Sequence, residues 1–306
     1  MAQMLSRHRR IRVALVLGLA ATTPLTSLPS LAQGQQCDAD WSAAIPARSP
    51  QARAGMAVAQ AIRSLDEDAR EAFIRREVLA GNVPAFLRRL EPVVIRGVSA
   101  QPRLTLCVMP DYLAVGNDQD YLLVPLRVGT ALELGRRLGF LLPTPKMVDE
   151  IARQARVRLR PQPLPAGDAM RSSAYLIEHN ALVREQRASD ESPLGALTAG
   201  DKKDLVLTNR LWTRLEHVAI YGWHGLDERP IQPLSTLHGW HYVDYSHGVR
   251  FVSEHLRIDG RPADLLEALR HPGVADLLSS EGSLRDVGEL VERMMAPRLA
   301  STHTRG

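Results

Sequence analysis

The sequence predicts an α+β fold: a helical N-terminal section and a β-rich C-terminal half forming one compact module. Three observations carry this prediction. Ala57, Ala61, Leu65, Ala69, Phe73 and Val78 recur at helical spacing early in the chain. Short β-type runs dominate from about residue 200 to 260. No regular alternation of strand and helix links the two regions, which argues against a parallel α/β sheet.

The chain opens with Arg7, Arg9, Arg10 and Arg12, an apolar stretch from Val13 to Ala21, and Ser30-Leu31-Ala32 with small residues at its first and third positions. This reads as a signal peptide over 1–32 cleaved after Ala32, leaving 33–306 periplasmic or secreted. Thr22, Thr23 and Pro24 interrupt the apolar run short of the roughly 20 residues that a spanning helix needs, so no transmembrane anchor is expected after cleavage.

Residues 33–49 read as an extended leader pinned by Cys37 and Trp41. A helical section over 49–89 is broken by Gly81-Asn82 and Pro84. Strands are expected at 93–98, 103–109 and 121–124, separated by Pro102, Pro110 and Gly116-Asn117-Asp118. A helix over 130–138 stops at Gly139, and Thr144 caps a second with Pro145 in its first turn, running to about 159. Pro161, Pro163 and Pro165 end it and mark a sub-boundary near 161–168. A third helix over 169–188 places Tyr175, His179, Val183 and Gln186 on one face. Strands at 204–208, 217–223, 243–251 and 255–258 and helices at 263–269 and 284–295 complete the expected order.

The formal charge of +4 is misleading: four of the 38 basic residues and none of the 34 acidic ones lie in 1–32, leaving 34 of each. A balanced chain lacks the field that attracts polyphosphate, so nucleic acid is excluded as a partner. Cys37 and Cys107 are the two cysteines, and an even pair in an oxidising compartment is expected as a disulfide. The rival reading, Cys107 as a nucleophile, meets the difficulty that Leu104-Thr105-Leu106-Cys107-Val108-Met109 is apolar, and burial keeps a thiol protonated.

Six of the nine histidines beyond residue 32 (His217, His224, His238, His241, His247, His255) fall between 217 and 255, among Tyr221, Trp223, Trp240, Tyr242, Tyr245 and Phe251. Titratable groups among aromatic walls suit a ligand pocket; the plainer alternative is a β-rich core whose histidines cap strand ends. The densest run, from His238 to Gly248, offers two chemistries. His238, Asp244 and His247 could ligate zinc, with His224 or His241 as substitutes. Without metal, His247 is a general acid or base oriented by Asp244. On a strand Asp244 and His247 would face opposite sides, so the run must turn for either chemistry. Ser246 beside His247 is a poor nucleophile pair for the same reason.

Only three of the 38 basic residues are lysines, Lys146, Lys202 and Lys203. Where arginine is the default cation, a lysine pair at Gly200-Asp201-Lys202-Lys203-Asp204 marks a pocket rim able to hold an anion or supply a proton; a solvated turn is the alternative. Tyr221-Gly222-Trp223-His224-Gly225 permits a bend that presents Trp223 and His224.

Leu142-Pro143-Thr144-Pro145-Lys146-Met147-Val148-Asp149, Lys202-Lys203-Asp204, Tyr221-Gly222-Trp223-His224, Pro230-Ile231-Gln232-Pro233-Leu234 and Asp244-Tyr245-Ser246-His247-Gly248 together resemble an uncharacterised family of exported bacterial proteins. The resemblance implies one module that holds these motifs together, and it carries no activity.

The leading expectation is an exported hydrolase acting on a cell-envelope or extracellular polymer, glycan or peptide. His247, Asp244 and Lys203 are its catalytic candidates, and Trp223, His224, Trp240, Tyr245 and His179 its substrate-binding ones; the cofactor is none or zinc. The alternative is a non-catalytic periplasmic protein that holds a ligand in the same pocket or maintains the envelope.

Overall fold

A computed structural model describes residues 36–98 and 101–303. The signal peptide expected over 1–32 lies outside them. The fold is α+β, with helices gathered early and most strands late.

After a short leader come α1 (Gly55–Ile62) and α2 (Glu67–Leu79), the latter capped by Asp66, whose carboxylate accepts from the Ala69 amide at 2.8 Å. Strands β1 (Glu91–Arg96) and β2 (Arg103–Val108) pair antiparallel, followed by the small ladder of β3 (Ala114–Gly116) and β4 (Tyr121–Leu123). α3 (Val128–Leu138) ends on left-handed Gly139 (φ 78°) as its sequence requires, and β5 (Phe140–Leu141) follows. α4 (Pro145–Gln154) starts where Thr144 and Pro145 place it but ends five residues before the expected 159, because the chain turns into β6 (Val157–Arg158). Ser172 caps α5 (Ser173–Ala188), and β7 (Thr198–Ala199) pairs in parallel with β6.

The second half holds β8 (Lys203–Leu205), β9 (Ile220–His224), β10 (Pro230–Ser235), β11 (His247–Gly248), β12 (Val252–Ile258) and β13 (Arg261–Asp264). Helices α6 (Leu265–Arg270), α7 (Pro272–Leu278) and α8 (Val287–His303) close the described chain. Strand β12 lies between β2 and β13 in the larger sheet and also takes β5 as a partner; the smaller sheet has the order β10-β9-β8-β11. Two expectations need correction. Pro230 and Pro233 concealed β10, and the strand expected over 243–251 is mostly irregular around a turn at Tyr245-Ser246, with His247 and Gly248 its only ladder residues.

Leu104, Leu106, Val108, Val252 and Leu256 are fully buried between sheet and helices, with Phe140 stacked on Phe251 at 5.6 Å. Cys37 and Cys107 form the expected disulfide, fastening the leader to β2. Arg257 of β12 reinforces it, gripping both Asp38 carboxylate oxygens at 2.6 and 2.7 Å and lying over Trp41. No described helix is long and apolar enough to cross a membrane.

Candidate functional site

The site grows from the pairing of β8 with β11. Gly200 adopts φ 99°, and a Cβ there would fall 2.1 Å from the Leu159 carbonyl, so only glycine admits the turn that leads into β8. β8 then runs parallel to β11 with Lys203 opposite His247 and Asp204 opposite Gly248. Side chains opposite each other in register share a face, whereas neighbours along a strand point apart. Lys203 and His247 therefore meet on one face, and Asp204 leaves on the other.

On the Lys203 face, the run from Asp244 to His247 turns as both chemistries demanded, the His247 amide donating to the Asp244 carbonyl at 3.1 Å. The Asp244 carboxylate accepts from the Ser246 amide (2.8 Å), the Ser246 hydroxyl (2.5 Å) and the Tyr242 hydroxyl (3.0 Å). Burial works to raise its pKa, but His247, the Ser246 hydrogen bonds and Lys203 hold it below the usual carboxylate value. Ser246 is thus spent on the carboxylate. His247 is fully buried, its Nε2 stands 3.9 Å from Asp244 Oδ2, and neither ring nitrogen has a hydrogen-bond partner among the described residues. Burial pushes its pKa down to about 4 against the pull of Asp244, with Lys203, His238 and Lys202 adding to the depression.

Trp223 reaches this face through an irregular backbone. Gly222 (φ 98°) and Trp223 (φ 52°) both lie in the left-handed region, and positive φ is costly for a bulky aromatic residue. The bend sets the indole 5.1 Å beneath the Lys203 ammonium and edge-on to His179, while the indole Nε1 is buried with no hydrogen-bond partner among the described residues. Lys203 opposes Gly222 across the β8–β9 ladder, where the left-handed backbone turns the missing Cβ toward Asp204 and His224 on the other side. Its pKa is lowered by burial against the attraction of Asp244.

Lys202 is the lysine that sequence reasoning undervalued. It is 1% exposed and its ammonium donates to the Tyr245 carbonyl at 2.6 Å, with His179 Nδ1 at 2.9 Å. Burial lowers its pKa to about 8, and burial plus Lys202 push His179 to about 2, so His179 is neutral and accepts through Nδ1. Tyr245 supports this floor, its hydroxyl fixed by the Leu164 backbone at 2.6 Å.

The opposite face of β8 holds a second polar group. Asp204 accepts from the Tyr112 hydroxyl at 2.7 Å and lies 3.8 Å from Arg250 Nε. Arg250, also fully buried, donates to the Met109 and Thr198 carbonyls and covers the Tyr112 ring. Both carboxylate oxygens of Asp201 are buried with no partner from another described residue, and burial plus nearby Asp111 push its pKa up to about 8. His224 belongs on this side, with Nε2 2.9 Å from Asp149 Oδ1, the oxygen that Tyr221 also meets at 2.8 Å. The structure thus separates His224 from Trp223, its neighbour in sequence.

The remaining candidates lie outside the buried group, although His238 is near enough to add to the depression of His247. His238 is exposed and stacks on Tyr242 at 3.9 Å, and Trp240 packs beside His241 at the same distance. Among the described residues no group of three or more His, Cys, Asp or Glu side chains is placed to hold a metal ion. Asp149, Asp204, Tyr112 and Arg250 were outside the expected site. In the sequence, Asp149 and Asp204 stood only in segments singled out for other reasons, Asp204 beside the lysine pair and both within the runs that carried the family resemblance.

No family model, curated protein or solved structure matches this chain. The functional reading therefore rests on the geometry.

Proposed function

We propose that the protein is an exported hydrolase of the acid–base type, acting on acyl bonds of a cell-envelope or extracellular polymer. One observation carries the reading: His247 is a buried, neutral imidazole with both nitrogens unpartnered, beside an ionised Asp244 and under a lysine. A neutral imidazole can take a proton from water as the oxygen attacks a carbonyl carbon, and return it to the leaving group as the acyl bond breaks. Asp244, held by Ser246 and Tyr242, favours the imidazolium formed between these steps. Lys203 supplies positive charge for the developing oxyanion. Glycoside hydrolysis ordinarily needs a second carboxylate across the scissile bond, and among the described residues Asp244 is the one carboxylate acting on both His247 and Lys203, so peptide and ester bonds suit the site better than glycan.

The test is turnover of peptide and ester panels built on envelope polymers by wild type, His247→Gln and Asp244→Asn, with near-ultraviolet circular dichroism to verify folding. Both folded variants are expected to lose at least about a hundredfold in kcat/KM, the usual weight of a general base. Saturable binding without product in the wild type would instead make the chain a ligand-binding protein.

A further inference from the structure

We infer that the Lys203, Trp223 and His247 cluster is a carboxylate-binding site, and that it holds the acid half of the bond that is cleaved. The second clause rests on the hydrolase reading; the first stands without it.

The argument is a balance of donors against acceptors. Asp244, the carboxylate on this face, is already engaged three times by Ser246 and Tyr242. The Trp223 indole can only donate, is 5% exposed, and finds no acceptor among the described residues. His247 carries one N–H in its neutral form and also finds none. Among the described residues the Lys203 ammonium makes no ion pair or side-chain hydrogen bond, its close neighbour being the indole ring. Buried donors without acceptors are costly, so their survival together points to a ligand that brings the acceptors.

Charge sets the kind of acceptor. Lys202 and Lys203 both face Asp244, and Asp201 and Asp111, which also act on Lys202, are pushed toward their neutral forms by burial, leaving room for one negative charge. A carboxylate brings that one charge and two oxygens in a plane, suited to the indole and imidazole N–H groups with the ammonium as counter-ion. A phosphate dianion would carry an excess charge against Asp244. The same donors that face an oxyanion during acyl transfer are well placed to hold the product carboxylate afterwards.

The experiment follows the four indole N–H resonances of the chain by nitrogen-15 NMR, with Trp223→Phe identifying that of Trp223. Titration with N-acetylglycine should shift this resonance saturably, and the neutral N-acetylglycinamide should leave it in place. Lys203→Met should weaken acid binding at least tenfold. Equal shifts by acid and amide, no saturable shift by the acid, equally tight binding of sulfate, or undiminished binding in a folded Lys203→Met protein would each overturn the assignment. If that variant fails to fold, the acid–amide comparison on wild type decides alone. Carboxylate binding by a protein that hydrolyses nothing would sink the hydrolase reading and leave the binding site standing.

Discussion

An unfolded histidine titrates near 6.5, whereas burial holds His247 near 4 in the folded chain. Between these values the unfolded state takes a proton that the folded state refuses, so the contribution to stability is intact above about 6.5 and is lost as pH falls toward 4. The full loss is on the order of 3 kcal/mol. Urea unfolding at pH 7 and pH 4.5 should therefore show His247→Gln less acid-sensitive than wild type; an unchanged difference between the two pH values would mean that His247 is not held neutral. Asp201 works with the opposite sign. Its folded pKa is raised to about 8, so its stabilising contribution is whole at low pH and is lost as pH climbs from about 4 through 8. Asp201→Asn should flatten the alkaline side of the stability profile and leave the protein more stable than wild type at pH 8, measured by the same unfolding. Equal destabilisation at pH 5 and pH 8 would contradict a neutral Asp201 carboxyl.

At the scale of elements, β8 and β11 are only three and two residues long, yet their pairing brings Lys203 to His247. Gly248 permits the approach: a Cβ there would lie 2.4 Å from the Tyr112 ring and 2.7 Å from Lys202 Cβ, both in buried side chains. Gly248→Ala should cost about 1–3 kcal/mol, the usual penalty of overpacking, read as a lower unfolding midpoint. A neutral result would mean that Tyr112 can retreat at no cost. Elements differed in how legible they were. α3 and α4 carry their own punctuation in Gly139 and Thr144-Pro145, and local signals of that kind survive folding, whereas α5 begins at Ser173 rather than at the expected 169 because the Ser172 cap went unread. The run from 243 to 251 is rich in strand formers, yet the Asp244 hydrogen bonds fold it into a turn. In the sequence, Asp244 and His247 stood out by type and proximity in the chain, and Lys203 by the scarcity of lysine. It did not reach Lys202, Asp204 and Arg250 as interior residues, because charges are normally solvated and only tertiary pairing reveals where several are buried together.

For the molecule as a whole, the disulfide closes a separation of 70 residues, a constraint on the unfolded chain worth about 4 kcal/mol by loop entropy. A Cys37→Ser, Cys107→Ser protein should lose roughly 2–4 kcal/mol and show a steeper denaturant dependence, since its unfolded state exposes more surface. Asp38 and Trp41 should still dock on Arg257, so protease cutting of the leader in the native protein should rise little; rapid cutting would show that the disulfide alone holds it. The face-to-face arrangement of β8 has a final consequence. Successive residues Lys203 and Asp204 carry opposite charge to opposite sides of one strand. A slip of the strand by one residue would bring Asp204 against Asp244 and drive Lys203 toward Arg250, setting like charges together in both compartments. The charge sequence that equips the site is also the lock that forbids any other alignment of the strand.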